Sequence, residues 1–364
     1  MDATRTQPTT APDFRGIFRV DRRRAVLYVL AAALLLFVAL ILAVCLSGEG
    51  VPVTVRQVVR VVADHLLLHT PASDSAAQMA DGIVWYLRLP RAVVAALVGA
   101  LLAYAGVALQ GLLMNPLADP YTVGVSSGAA VGAAAAEMLG LSAVWYGFAR
   151  MGVAFGFAVG AVVLVYALAR VGGRVSAQTF LLAGVVVGTL LASFVPLMLA
   201  LAHRANDMSR LLFYLIGSLT GAEWSRAALL TPFVVIAVVC LSLWARELNL
   251  MTFGEESAAR LGVDVERAKR RVLVVGSLCA AAAVSVAGII GFVGLVVPHV
   301  ARRLVGPDHR ALLPLAGLLG ASLLVLADTV ARVWLNEVQV GVVTSLVGAP
   351  VFCYLLRRRR TARW

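Results

Sequence analysis

The run VLVVGSLCAAAAVSVAGIIGFVGLVVPHV carries no charged side chain from Val272 to Val300. As a single α-helix its 29 residues would reach about 44 Å. The hydrocarbon core of a bilayer is only ~30 Å thick. Gly288, Gly291 and Gly294 crowd the second half and Pro298 follows, a pattern that predicts a break. Whether the run is one span or two sets the side of the membrane on which everything after it lies.

The placement of arginine favours two. The chain of 364 residues has 31 basic side chains, all arginine except Lys269. With the run split, spans fall near residues 24–46, 92–113, 122–140, 147–169, 179–202, 227–245, 270–289, 292–305, 311–333 and 340–356. Both termini are then cytoplasmic. Inner segments hold 22 basic residues and outer ones 9, the arrangement that the inside excess of positive charge favours. Joining the run into one span would send the last 8 of those 22 outside. The fold class is therefore all-α, a polytopic membrane protein of about ten transmembrane helices. Residues 1–23 read as a cytoplasmic tail, 24–356 as the membrane domain and 357–364 as a basic tail. A short amphipathic stretch, Met208 to Thr220, predicts a partial helix outside the bilayer centre.

Composition agrees and excludes several classes. Hydrophobic residues make up 61% of the chain and charged ones 14%, with a mean hydropathy of +0.91. No short alternating segments suggest a barrel. The net charge of +12 sits beside apolar runs, where it meets lipid headgroups and sets orientation, so nucleic acid is not an expected partner. Cys45, Cys240, Cys279 and Cys353 are too far apart for a zinc or haem motif and read as apolar packing residues. Gly152, Gly156 and Gly160, Gly128 with Gly132, and Gly184 with Gly188 recur every four residues and predict close helix contacts. His65 and His69 share a helical spacing, but no third ligand is in register, so Val58 to His69 reads as an interfacial helix and no metal site is expected. His203 and His309 read as lone loop residues, and His299 as structural.

What powers the protein is constrained by what is missing. A phosphate-cradling loop needs Gly-x4-Gly-Lys-Ser/Thr. The one lysine stands in Arg-Ala-Lys-Arg-Arg, residues 267–271, and cannot supply it. If ATP drives this chain, another chain hydrolyses it. An ion-coupled secondary transporter, the alternative of another class, would need ionisable groups deep in the spans. Glu137 and Asp328 come nearest, and both lie toward span ends.

The largest cytoplasmic loop, Arg246 to Arg271, contains GEESAARLGV from Gly254 to Val263. An acidic start and a glycine stop describe a short helix with an abrupt end, suited to docking a partner. Here the chain resembles the binding-protein-dependent ABC importers: Glu256-Ser-Ala-x3-Gly262 is similar to their Glu-Ala-Ala-x3-Gly loop, with Ser257 in place of the first alanine. Further runs resemble the FecCD-type permeases for ferric siderophores, haem and cobalamin. They are Arg88-Leu-Pro-Arg91, Val98 to Gly106, Gln110, Asn115-Pro-Leu-Ala-Asp-Pro120, Gly124 to Ala129, Leu182-Ala-Gly184 and Gly217-Ser218. After these come Gly288 to His299, Leu326-Ala-Asp328, Arg332 and Gly341-Val-Val-Thr-x3-Gly348-Ala-Pro350. They run in order from about residue 80 to the C-terminus.

That resemblance implies the type II ABC importer permease architecture. It also implies a complex: a second, identical permease chain, two cytoplasmic ATPase subunits and an extracytoplasmic substrate-binding protein. ATP and magnesium would belong to the ATPase, with no cofactor on this chain. The coupling loop would be 247–268, with Gly254, Glu255, Glu256, Ala258, Arg260, Leu261 and Gly262 at the ATPase. Arg88, Arg91 and Arg332 would meet acidic residues of the binding protein. Asp328, one helical turn before Arg332, is also placed to neutralise it. Asn115, Pro116 and Leu117 would form part of a cytoplasmic gate with Ser176, Ala177 and Gln178, which depart from the Ser-Thr-Ser of the cobalamin branch. The path would be lined by Val185 to Pro196, Leu211 to Gly217 and Val342 to Pro350. The resemblance points first to a ferric siderophore as cargo, with haem or cobalamin as the alternative.

Overall fold

The long apolar run breaks where its glycines predict. In the computed structural model, which describes residues 22–46, 51–68, 75–141, 147–201 and 205–359, helix α12 (Val265–Ala287) ends at Gly288 and helix α13 (Val293–Val305) begins five residues later. The two run in opposite directions beside α4 (Leu89–Leu112). Gly276 of α12 lies against Ala105 and Ala108 of α4, and Lys269, a few residues before it, shares a cavity wall with Leu112 at the inner end. In α13, Gly294 packs on Leu102 and Gly106, while Arg302 reaches Gln110 toward the same inner end.

The other helices fall close to the expected spans. They are α1 (Arg22–Cys45), α5 (Val125–Met138), α6 (Phe148–Ala169), α7 (Ala177–Leu201), α9 (Trp224–Leu243), α14 (His309–Trp334) and α15 (Val340–Arg359). The partial helix is α8 (Ala205–Ile216). Among the described residues seven helices are long and apolar enough to cross a membrane: α1, α4 with the turn before it, α6, α7, α9, α12 and α14. Helix α5 is shorter than the span expected at 122–140, while α13 matches the short one expected at 292–305. With 14 and 13 residues they extend only about 20 Å, and both begin inside the bundle.

Irregular backbone at membrane depth survives only where protein buries it and pairs its polar groups. Here the pairing is explicit. A short 3-10 helix, Pro120–Val123, precedes α5, and the Tyr121 hydroxyl donates to the Ile290 carbonyl at 2.8 Å and accepts from its N–H at 3.0 Å. Ser218 N–H donates to the Ala287 carbonyl at 2.8 Å, Ile289 N–H to Tyr214 at 3.1 Å, and Gly341 N–H to Gly217 at 3.2 Å. The break thus ties the ends of α8, α12 and α15 together beside α5.

Helix α4 is the hub, packing on α9, α12, α13 and α14. Its small residues permit this: a Cβ at Gly106 would stand 2.7 Å from the carbonyl carbon of Gly294. Helix α1 lies on α14 and buries Ala25, Ala32, Ala39 and Ala43, with Leu27, Leu30, Leu34 and Leu42 outward. The glycine repeats divide. Gly128 and Gly132 of α5 admit α6, where an added Cβ would sit 2.6 Å from the Phe157 carbonyl oxygen and 2.8 Å from that of Val153. Gly184 packs on Thr122, and Gly188 is looser. Gly152, Gly156 and Gly160 meet nothing within 4 Å, so the expected contact by that triplet does not occur among the described residues. It is the alanine face of α6 that meets α5.

Candidate functional site

At the cytoplasmic end, α10 (Ala245–Met251) leads into α11 (Glu255–Arg260), a helix of 6 residues, and then into α12. Gly254 and Gly262 bracket α11 with φ of +99° and +87°, a backbone region that side chains with a Cβ rarely adopt. Glu255 and Glu256 begin the helix and Arg260 ends it, which matches the helix dipole at both ends. Ala258 is buried against the body, while Glu256, Arg260 and Leu261 are exposed. The result is a short knob, pinned at its centre and offering its charged rim outward.

Two clasps hold that knob, and the sequence pattern pointed to neither. Asn249 of α10 accepts from the His309 backbone N–H at 2.8 Å, lies 2.7 Å from His309 Nδ1, and donates to Asp308 at 2.7 Å. His309 is therefore not a loop residue: it opens α14 and is 1% exposed. On the other side, buried Lys269 of α12 joins Glu255 of α11 at 2.6 Å. Its only signal in the sequence was being the sole lysine.

The gate candidates lie next to this end. Asn115 Oδ1 accepts from Leu117 N–H at 2.9 Å, closing a tight turn around Pro116, and Leu117 is exposed. Ser176 follows a two-strand turn, β1 (Arg170–Val171) and β2 (Arg174–Val175), and its Oγ accepts from Thr179 N–H at 3.1 Å as the cap of α7. Ala177 is half-buried and Gln178 exposed. The two segments approach through their flanks: Leu112 and Leu113 line the same small cavity as Val175 and Ala177.

The expected path is apolar on two of its three elements and open on the third. A cavity of about 650 Å³ lies between the end of α8, the break and α15, lined by Ile216, Ile289, Val342, Leu346 and Pro350, with Ser345 as its polar side chain. Helix α7 presents Val185, Val186, Leu190 and Phe194 as exposed side chains. The acidic groups nearest the bilayer are paired, Glu137 with Arg150 at 3.4 Å and Asp328 with Arg91 at 2.9 Å.

That second pair corrects an expectation. Asp328 takes as its bidentate partner Arg91 from another helix, not Arg332 one turn away: Arg91 Nε and Nη2 both donate at 2.9 Å. Arg332 instead donates to the carbonyls of Leu46 and Ala43 at the end of α1. Arg88 is 9% exposed and donates to the carbonyls of Val44 and Val51, at 2.9 and 2.8 Å. The three arginines do converge, but on the C-terminal carbonyls of α1 and on Asp328. Arg91→Met should leave a buried carboxylate unpaired and cost about 3–5 kcal/mol of stability. Adding Asp328→Asn should recover much of that, read as the thermal midpoint of the solubilised protein. Also on the outer side, His65 pairs with Asp81 at 2.7 Å and stacks on Trp85. His69, His203 and the tail at 1–21 lie outside the described residues.

Comparison with known proteins covers nearly the whole chain. The FecCD transport family model matches residues 25–358. The cobalamin import system permease protein BtuC of Halobacterium salinarum is 47% identical over 289 residues, 79% of this chain and 77% of that protein. The hemin transport system permease protein HmuU of Yersinia pestis is 40% identical over 287 residues, 77% of this chain and 85% of that one. A solved structure described as an inward-facing, metal-chelate type ABC transporter superposes with a TM-score of 0.75 at 29% identity, covering 91% of this chain and 98% of that one. The chain belongs to the FecCD transport family, as a multi-pass permease of the ABC-importer type in the cytoplasmic membrane.

Proposed function

We propose that this chain forms, with a second copy, the membrane channel of an importer for a bulky metal chelate. ATP is hydrolysed by two separate cytoplasmic subunits, and an extracytoplasmic binding protein delivers the cargo. The observation that carries the reading is α11, a knob standing outside the spans between two left-handed glycines, with Glu256, Arg260 and Leu261 outward. Such an element packs on the body through Ala258 and turns its charged rim outward, which suits the cleft of an ATPase subunit. Asn115 to Leu117 and Ser176 to Gln178 would be the inner gate. Arg91 and Arg332 would present what remains of their surface to the binding protein, and Arg88 would support them from below.

An apolar path does not hold its cargo tightly, which suits a chelate already selected by the binding protein. A ferric siderophore is the first reading. The relatives named for cobalamin and hemin favour a second, a metal tetrapyrrole. Uptake of radiolabelled ferric siderophore, hemin and cyanocobalamin, measured separately in a deletion strain and its complemented parent, tests both. One label should be lost on deletion and restored by complementation. If none is, with no second importer present, the chelate reading is wrong.

A further inference from the structure

The gate and the knob belong to different parts of the chain, yet one side chain bonds both the knob and the residue that leads into the gate. Lys269 sits in the second turn of α12 and is 8% exposed. An ammonium group has three donors, and this one has three acceptors: Glu255 Oε2 of α11 at 2.6 Å, the Val175 carbonyl at 2.9 Å and Glu266 Oε1 at 3.3 Å. Val175 ends β2 and is followed directly by Ser176, Ala177 and Gln178. Helix α11 itself packs on α10 and α12. The strand pair packs on α6. Beside Lys269 lies a cavity of about 20 Å³, bounded by Leu113, Val175, Ala177, Phe180 and Leu273, roughly the space of one water.

We propose that Lys269 is a positioning residue that carries displacement of α11 to the gate segment, through its simultaneous bonds to Glu255 and the Val175 carbonyl. The inference rests on reading α11 as the surface an ATPase subunit moves. Charge and reach are both required. A carboxylate pulled by the ATPase draws the ammonium, and the ammonium draws the carbonyl that begins the gate. Methionine, of similar length, has no donor for either acceptor.

The test uses the complete permease–ATPase complex in proteoliposomes and needs no cargo. In a background lacking Cys45, Cys240, Cys279 and Cys353, Gln178→Cys reports gate exposure through its rate of reaction with a water-soluble maleimide. Trapping with ATP and vanadate should change that rate by about fivefold or more with Lys269 present. Lys269→Met should reduce the change to less than about twofold while the complex still co-purifies with its ATPase. Lys269→Arg should restore it, which a role in stability alone would not require of the trapped-to-free ratio. If Lys269→Met fails to assemble, Lys269→Met with Glu255→Gln removes both members of the ion pair and is read in the same way. An undiminished change in either variant overturns the proposal. No change even with Lys269 in place contradicts the coupling role of α11, and the proposal falls with it.

Discussion

Gly106→Leu should abolish accumulation of folded permease. Helices α4 and α13 meet where Gly106 faces Gly294, and a Cβ at position 106 would overlap the Gly294 carbonyl oxygen and stand 2.9 Å from its Cα. Both atoms are backbone, so no rotamer change relieves the clash. The helices must part, and with them the bonds of Gln110 to the carbonyls of Gly294 and Leu295 at 3.3 and 3.2 Å. Overpacking at a site that can relax costs about 1–3 kcal/mol. A site closed by backbone on both sides should exceed about 4 kcal/mol, a large share of typical stability. Gly156→Leu is the control, since nothing lies within 4 Å of its added Cβ. Fluorescence-detected size-exclusion of detergent extracts should show a folded peak for Gly156→Leu and none for Gly106→Leu. A normal peak for Gly106→Leu would mean that α4 and α13 do not pack this closely.

Gly254→Pro should separate ATP hydrolysis from transport. The native φ of +99° is closed to proline, whose ring holds φ near about −65°. The turn into α11 must rebuild, and the knob then no longer presents Glu256 and Arg260 in their present directions. The spans are untouched, so the protein should still assemble. Transport per ATP hydrolysed should fall roughly tenfold or more, equivalent to about 1.4 kcal/mol of coupling. Glu256→Arg, which reverses an exposed charge without altering the turn, should give a smaller fall in the same direction. An unchanged ratio in Gly254→Pro would remove α11 from the coupling path.

The fold was largely legible because hydrophobic length, glycine and arginine placement are strong signals in a membrane chain. The run from Val272 to Val300 illustrates this: length excluded one straight span, the glycines located the break, and charge chose the direction of the return. The half length of α5 was not legible, since apolar residues look alike whether they face lipid or the middle of a bundle. Nor could spacing say which glycines are covered, as the open triplet of α6 demonstrates. Side-chain partners distant in sequence were the weakest point. Arg332 stands one turn from Asp328, yet Arg91, more than two hundred residues away, takes its carboxylate. Lys269, Asn249 and His309 carried no motif at all, because their roles depend on where loops meet. The coupling, gate and docking residues came from resemblance to a family.

The most direct measurement is import into proteoliposomes holding the purified permease with its ATPase subunits and binding protein, with the radiolabelled chelate identified by the deletion experiment. Uptake should require ATP, stop with vanadate and be indifferent to collapse of the proton gradient. Uptake driven by an imposed proton gradient without ATP, and insensitive to vanadate, would overturn the importer reading and make this chain a secondary transporter.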